Sequence, residues 1–148
     1  MPLWTGAPEY LVNALQVQQL NAARVVCSYN SFYWSTTKLL NTCGWLSIKQ
    51  QTVASTVTMA HDIIMTGLPK NIHATLISEY PYRTRRAAGG DIRFDGNFTA
   101  PSSALGERTF KNQARKFYNE VPLALRQLDK KKFKKQIRKW VKNNVPVR

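Results

Sequence analysis

Acid is scarce in this chain. Its 148 residues carry 8 Asp and Glu against 22 Lys and Arg, a formal net charge of +14. No two aspartates are adjacent. Two-metal phosphoryl transfer needs clustered carboxylates to hold its ions, so no such catalytic centre, and no metal or other cofactor, is expected. Cysteine is nearly missing too, with only Cys27 and Cys43. They read as buried free thiols in a reducing compartment, with a single bridge left open. No C-x-x-C or H-x-x-x-H spacing occurs, so a zinc site is not expected. A phosphate-cradling G-x-x-x-x-G-K loop is also absent. The opening MPLWTGAPEY has neither a basic stretch nor an apolar core of the signal-peptide kind. The longest apolar region, 53–68, is broken by His61 and Asp62 and is too short to span a bilayer. These absences lead to the expectation of an intracellular protein, nuclear or cytoplasmic, with no membrane span and no enzymatic activity of its own.

What is present is apolar enough to fold, and its charge is lopsided. Hydrophobic residues make up 43% of the chain, sufficient for a real core. Residues 1–79 hold four basic side chains against three acids, a net of +1, whereas 80–148 hold 18 against five, a net of +13. A neutral front and a basic back suggest a scaffold carrying a polyanion-facing surface, with nucleic acid as the leading partner and an anionic membrane second.

The front reads as a series of helices. Pro8 and Glu9 suit a first turn, after which Leu11, Leu15, Ala22 and Val26 mark one face of a helix ending near Val26. The aromatic segment 28–35 has no clean period and reads as a loop packed on the body. Thr36 or Thr37 can cap a short helix through Leu39 and Leu40, closed by Gly44. Ser47 and Gln50 satisfy the S-x-x-Q capping box and should open a long helix with Val53, Val57, Ala60, Ile63 and Ile64 as its apolar positions and Gly67 as its stop. Pro69 can start one more short helix through Ile72, Leu76 and Ile77. From 80 to 107, glycines and prolines break every helical period, Arg83, Arg85 and Arg86 precede Gly89-Gly90, and 92–94 suits a short strand.

The last third carries the charge. Phe110, Ala114, Phe117 and Tyr118 share one helical face. Beyond the Val121-Pro122 corner, Asp129 is a plausible N-cap for a second amphipathic helix with Phe133, Ile137, Trp140 and Val141 on its apolar side. Around that stripe sit eight cations within residues 130–142, with no acid after Asp129. Phe117, Tyr118, Phe133 and Trp140 suit a core better than a base-stacking platform. His61 and Asp62, adjacent on a helix, point to different sides and do not make a hydrolytic relay.

The order of motifs resembles a known family. Pro2-Leu3-Trp4-x-Gly6, Leu15-Gln16-x-x-Gln19-x-x-Ala22-Ala23-Arg24-Val25-Val26 and Leu39-Leu40-x-x-Cys43-Gly44-Trp45-Leu46-Ser47-x-x-Gln50 are similar to the region just after the catalytic palm of non-LTR (LINE-type) retrotransposon reverse transcriptases. The similarity continues through Gly67-Leu68-Pro69-Lys70, Tyr82-x-Thr84-Arg85 and Arg108-Thr109-Phe110 to Asn119-x-Val121-Pro122. Two departures stand out. The family's Q-N-K/R-A-A-R is Gln19-Leu20-Asn21-Ala22-Ala23-Arg24 here, and its L-W-N-S-L-P is Phe117-Tyr118-Asn119-Glu120-Val121-Pro122. The resemblance implies a polymerase thumb, which grips the primer–template duplex, followed by a basic trailing segment. The paired aspartates would belong to a palm that this sequence does not contain.

The expectation is therefore a mainly α protein: a thumb-like helical bundle over 1–79, a basic loop-rich joint over 80–107, and two basic amphipathic helices over 108–148. Its expected role is that of a non-catalytic, nucleic-acid-binding thumb and C-terminal part of a retrotransposon-derived RNA-directed DNA polymerase, a truncated copy whose missing palm would be its other partner. Contact with a duplex backbone, RNA or DNA, is expected from Lys130, Lys131, Lys134, Lys135, Arg138, Lys139, Arg83, Arg85, Arg86 and Arg24. The alternative is a structural or interaction remnant in which the same lysines are only a solvated surface.

Overall fold

The computed structural model describes residues 6–27, 33–76 and 103–147. Among these residues the chain is mainly helical and has no strand. Its helices are α1 (Glu9–Cys27), α2 (Thr36–Thr42), α3 (Ile48–Thr66), α4 (Lys70–Leu76), α5 (Ala104–Glu107), α6 (Phe110–Glu120), α7 (Leu123–Arg126) and α8 (Lys130–Asn144). The strand expected at 92–94, the end of the α4 pattern at Ile77, and Arg83, Arg85 and Arg86 lie outside the described residues.

Helix α3 is the axis of the fold, and local signals set both its ends. Ser47 Oγ accepts a hydrogen bond from the Gln50 backbone N–H at 3.2 Å. Gln50 Oε1 accepts from the Ser47 N–H at 3.1 Å, which completes the capping box. At the far end Gly67 takes φ 69°, a left-handed conformation that L side chains rarely adopt, and its N–H donates to Ile63 O at 2.8 Å. Between these caps Val53, Val57, Ala60 and Ile63 are buried. Packing of this kind is what keeps a β-branched helix folded.

Helices α6 and α8 pack on α3, and α4 closes against both α3 and α6. Buried Ala114 and Tyr118 come from α6, Phe133, Ile137 and Val141 from α8, and Leu76 from α4. The core is thus drawn from both sides of 80–107, so the sequence division at that joint is one of charge and composition. Gln50 reinforces the union, its Nε2 donating to Val145 O, at the end of α8, at 2.7 Å.

Four local expectations are corrected. The apolar face assigned to α1 does not dock: Leu11 and Val26 are exposed, and Ala23 is the buried side chain. What turns inward beside Ala23 is glutamine. Gln19 Nε2 donates to Leu46 O at 2.8 Å, and Gln16 Oε1 accepts from the Ile48 N–H at 2.9 Å. Helix α2 is capped by Ser35, whose Oγ accepts from the Lys38 N–H, and not by Thr36 or Thr37. Of the aromatic segment 28–35, residues 28–32 lie outside the described residues; Tyr33 is exposed, against expectation, and Trp34 is half-buried. Residues 104–107 are not loop but a single helical turn, because Ser103 Oγ accepts from the Gly106 N–H.

Ile137 has no exposed surface. Truncating it should cost about 2–5 kcal/mol. Urea denaturation of Ile137→Ala is expected to show an unfolding free energy lowered by that amount, whereas Lys132→Ala on the exposed side of the same helix should leave it nearly unchanged.

Candidate nucleic-acid interface

Helix α8 begins where Asp129 places it. Its Oδ2 accepts from the Lys131 N–H at 3.3 Å, and Asp129 O accepts from the Phe133 N–H at 2.7 Å. With Phe133, Ile137 and Val141 turned into the core, the helical period decides where every lysine goes. Lys131, Lys135, Arg138 and Lys142, at i, i+4, i+7 and i+11, form a line outside the buried stripe, with Arg138 at its edge toward α3. Lys132, Lys134 and Lys139 flank it. All seven are exposed. From Lys131 to Lys142 the line rises about 16 Å.

This arrangement is strained in its own charges. Lys131–Lys135, Lys134–Arg138, Lys135–Lys139 and Arg138–Lys142 are like-charge pairs at i, i+4, each unfavourable by roughly 0.2–0.5 kcal/mol. Lys130, Lys131 and Lys132 crowd the helix N-terminus, where the macrodipole disfavours cations, and Asp129 offsets only part of that. Anions bound along the line would relieve both costs.

Lys130, in the expected contact set, has an acidic partner. Its Nζ lies 2.6 Å from Asp62 Oδ1 and donates to Oδ2 at 2.7 Å. It therefore turns toward α3 while its side chain stays 58% exposed. Lys134 and Arg138 instead stand on the wall of an α3–α8 groove of about 430 Å³, with Ser55, Thr58 and Asp62 opposite. Arg24 is held on α1, where Nη1 donates to Asn21 Oδ1 at 3.0 Å. The structure thus groups Lys131, Lys134, Lys135, Arg138 and Lys139 on one helix, while Lys130 is paired and Arg24 sits on a different element. Arg83, Arg85 and Arg86 fall outside the described residues.

The aromatics of these helices are core, as expected. Phe133 has no exposed surface and Tyr118 almost none, while Phe117 and Trp140 pack partly buried against the same cluster. Little is left on the α8 face to stack on a base.

Two polar residues, Arg126 and His61, tie the helix ends together. Arg126 caps the C-terminal end of α6: Nη2 donates to Asn119 O at 2.6 Å, Nε donates to Val121 O at 2.7 Å, and the guanidinium lies 5.3 Å from the Tyr118 ring centroid. A basic residue a few positions past a helix end is the signal that could have identified it. His61 is buried and stacks on Phe133, ring centroids 3.8 Å apart and planes at 14°. Leu128 O, which can only accept, lies 3.1 Å from Nε2, so Nε2 carries the proton; Nδ1 then accepts from the Tyr118 hydroxyl at 3.4 Å. Its neighbour Asp62 faces Lys130, so the two do not form a relay. The cysteines expected to be buried are half-buried free thiols.

Among the described residues, no group of three or more His, Cys, Asp or Glu side chains is gathered where a metal ion could be held. No described helix is long and apolar enough to cross a membrane. Comparison with family models, curated proteins and solved structures gave no match.

Burial holds the His61 imidazole below its usual pKa of 6.5, against opposing contributions from the Leu128 hydrogen bond and from Asp62 and Asp129. The unfolded chain therefore binds this proton more readily than the folded one. Stability from His61 is complete above about pH 6.5 and is lost as the pH falls through the folded value, at no more than about 1.4 kcal/mol per pH unit. Thermal melts between pH 7.5 and 5 should show a falling Tm. His61→Gln, which keeps a donor for Leu128 O, should flatten that trend.

Proposed function

We propose that the chain binds nucleic-acid backbone through the outer face of α8, as the non-catalytic thumb and C-terminal part of a retroelement-derived RNA-directed DNA polymerase. The observation that carries this reading is the line Lys131, Lys135, Arg138 and Lys142. These are exposed cations on a rigidly docked helix, and among the described residues the ion pair found on α8 belongs to Lys130 alone. Contacts of this kind position a duplex without reading its sequence. The burial of Phe133 and Tyr118 points the same way, because single-strand binders add exposed aromatics on which bases stack. The assignment to a polymerase thumb rests on the resemblance of motif order, and the chemistry of such a polymerase would reside in carboxylates supplied by another segment.

One observation favours a second reading, an interaction remnant without nucleic-acid binding. On α1, Tyr10, Val17 and Val25 recur along one side and are 70%, 53% and 84% exposed. An apolar stripe left open is more typical of a docking face than of a surface meant for water.

Fluorescence anisotropy with a short RNA–DNA hybrid duplex separates the two. If four phosphates are neutralised, log K should fall with log salt at a slope of about −3.6. Reversal of the line in K131E/K135E/R138E/K142E should weaken binding at least about 100-fold while helical circular dichroism is retained, because four phosphate contacts are lost together. A wild-type affinity that is negligible or flat with salt would leave only the interaction reading. Asp62→Asn, which releases Lys130, should tighten binding modestly and change stability by less than about 1 kcal/mol, the usual range for an exposed pair.

A further inference from the structure

Cys27 ends α1 and Cys43 is the C-cap of α2. Sixteen positions separate them in sequence, yet their Sγ atoms lie 3.2 Å apart. Cys43 Sγ also approaches Ala23 O at 3.9 Å, so it sits over the last turn of α1. Both thiols are half-buried and therefore within reach of a small oxidant. The helix they anchor is lightly held. Ala23 is its fully buried side chain, two glutamine hydrogen bonds tie it to 46–48, and Val25 and Val26, beside Cys27, are largely exposed.

We propose that Cys27 and Cys43 are a reversible dithiol–disulfide site that fastens the C-terminal end of α1 to α2 when a peroxide is present. With hydrogen peroxide, one thiolate attacks a peroxide oxygen, giving a sulfenic acid and one water once the proton is returned. The second thiol then attacks that sulfur, forming the S–S bond and expelling the hydroxyl as a second water. Two thiols are oxidised by two electrons and one peroxide is reduced to two waters, so atoms and electrons balance. The sulfurs need to close by only about 1 Å to reach bonding distance. The shared hydrogen bond with Cys27, and then burial, push the Cys43 thiol above its usual pKa. Because the thiolate is the reactive form, bridging should accelerate as the pH rises. The inference stands apart from whatever α8 binds.

The test uses the full chain, reduced and then treated with one equivalent of hydrogen peroxide. The expected product is a monomer on a non-reducing gel with no titratable thiol and an intact mass lower by two hydrogen atoms. Its tryptic digest should contain a Cys27–Cys43 linked peptide. Closing a loop of this length should raise Tm by about 5–10 °C, and dithiothreitol should abolish the rise. Cys43→Ser should remove both the link and the shift; if it does not fold, Cys27→Ala at the half-buried helix end serves the same purpose. Intermolecular dimers, sulfinic acids without a link, or a linked monomer melting with the reduced protein would each overturn the proposal.

Discussion

The burial of Phe133, Ile137 and Val141 against α3 is the contact on which the rest depends. Helix α8 has little reason to form by itself. Its charges repel at nearly every turn, its N-terminal turn opposes its own dipole, and fifteen residues are marginal for an isolated helix even with favourable charges. Three side chains with no exposed surface supply what the local sequence withholds, each contributing about 1.5–3 kcal/mol by transfer from water. The same burial fixes helical phase. Once Phe133 faces the core, Lys131, Lys135 and Lys142 must face away from it and Arg138 falls at the edge of the α3–α8 groove, so packing on one side writes the charge pattern on the other.

The junction around His61 shows how closely that packing is specified. Its ring lies flat on Phe133, while its two nitrogens reach Tyr118 of α6 and Leu128, just before Asp129. One residue of α3 thereby holds α6, α8 and the turn between them. Arg126 and Gln50 fix the remaining ends, the first closing α6 and the second joining the start of α3 to the residue after α8. A buried polar network of this kind selects one arrangement of helices when every member finds its partner.

Where the signal was local, the sequence disclosed the structure. The Ser47–Gln50 box, the stop at Gly67 and the Asp129 cap each depend on residues within a few positions of one another. The inward stripes of α6 and α8 were legible because apolar period and burial coincide there. On α1 the two diverge. The side that docks uses Gln16 and Gln19 as hydrogen-bonding anchors, and a reading based on hydrophobicity takes the exposed side for the core. The pairing of Lys130 with Asp62 spans 68 positions, and no local pattern announces it. It divides cations that look equivalent in sequence into one paired with an acid of α3 and others with no such partner among the described residues.

We propose that a polyanion meets the outer face of α8 while the inner face stays sealed on α3. Nuclear magnetic resonance titration of the isotope-labelled chain with a short RNA–DNA hybrid duplex tests it most directly. The account predicts shifts concentrated at Lys131, Lys135, Arg138 and Lys142, with Ile137 and Val57 methyl signals unmoved. Shifts centred on α1, or loss of the core methyl dispersion as duplex is added, would contradict it.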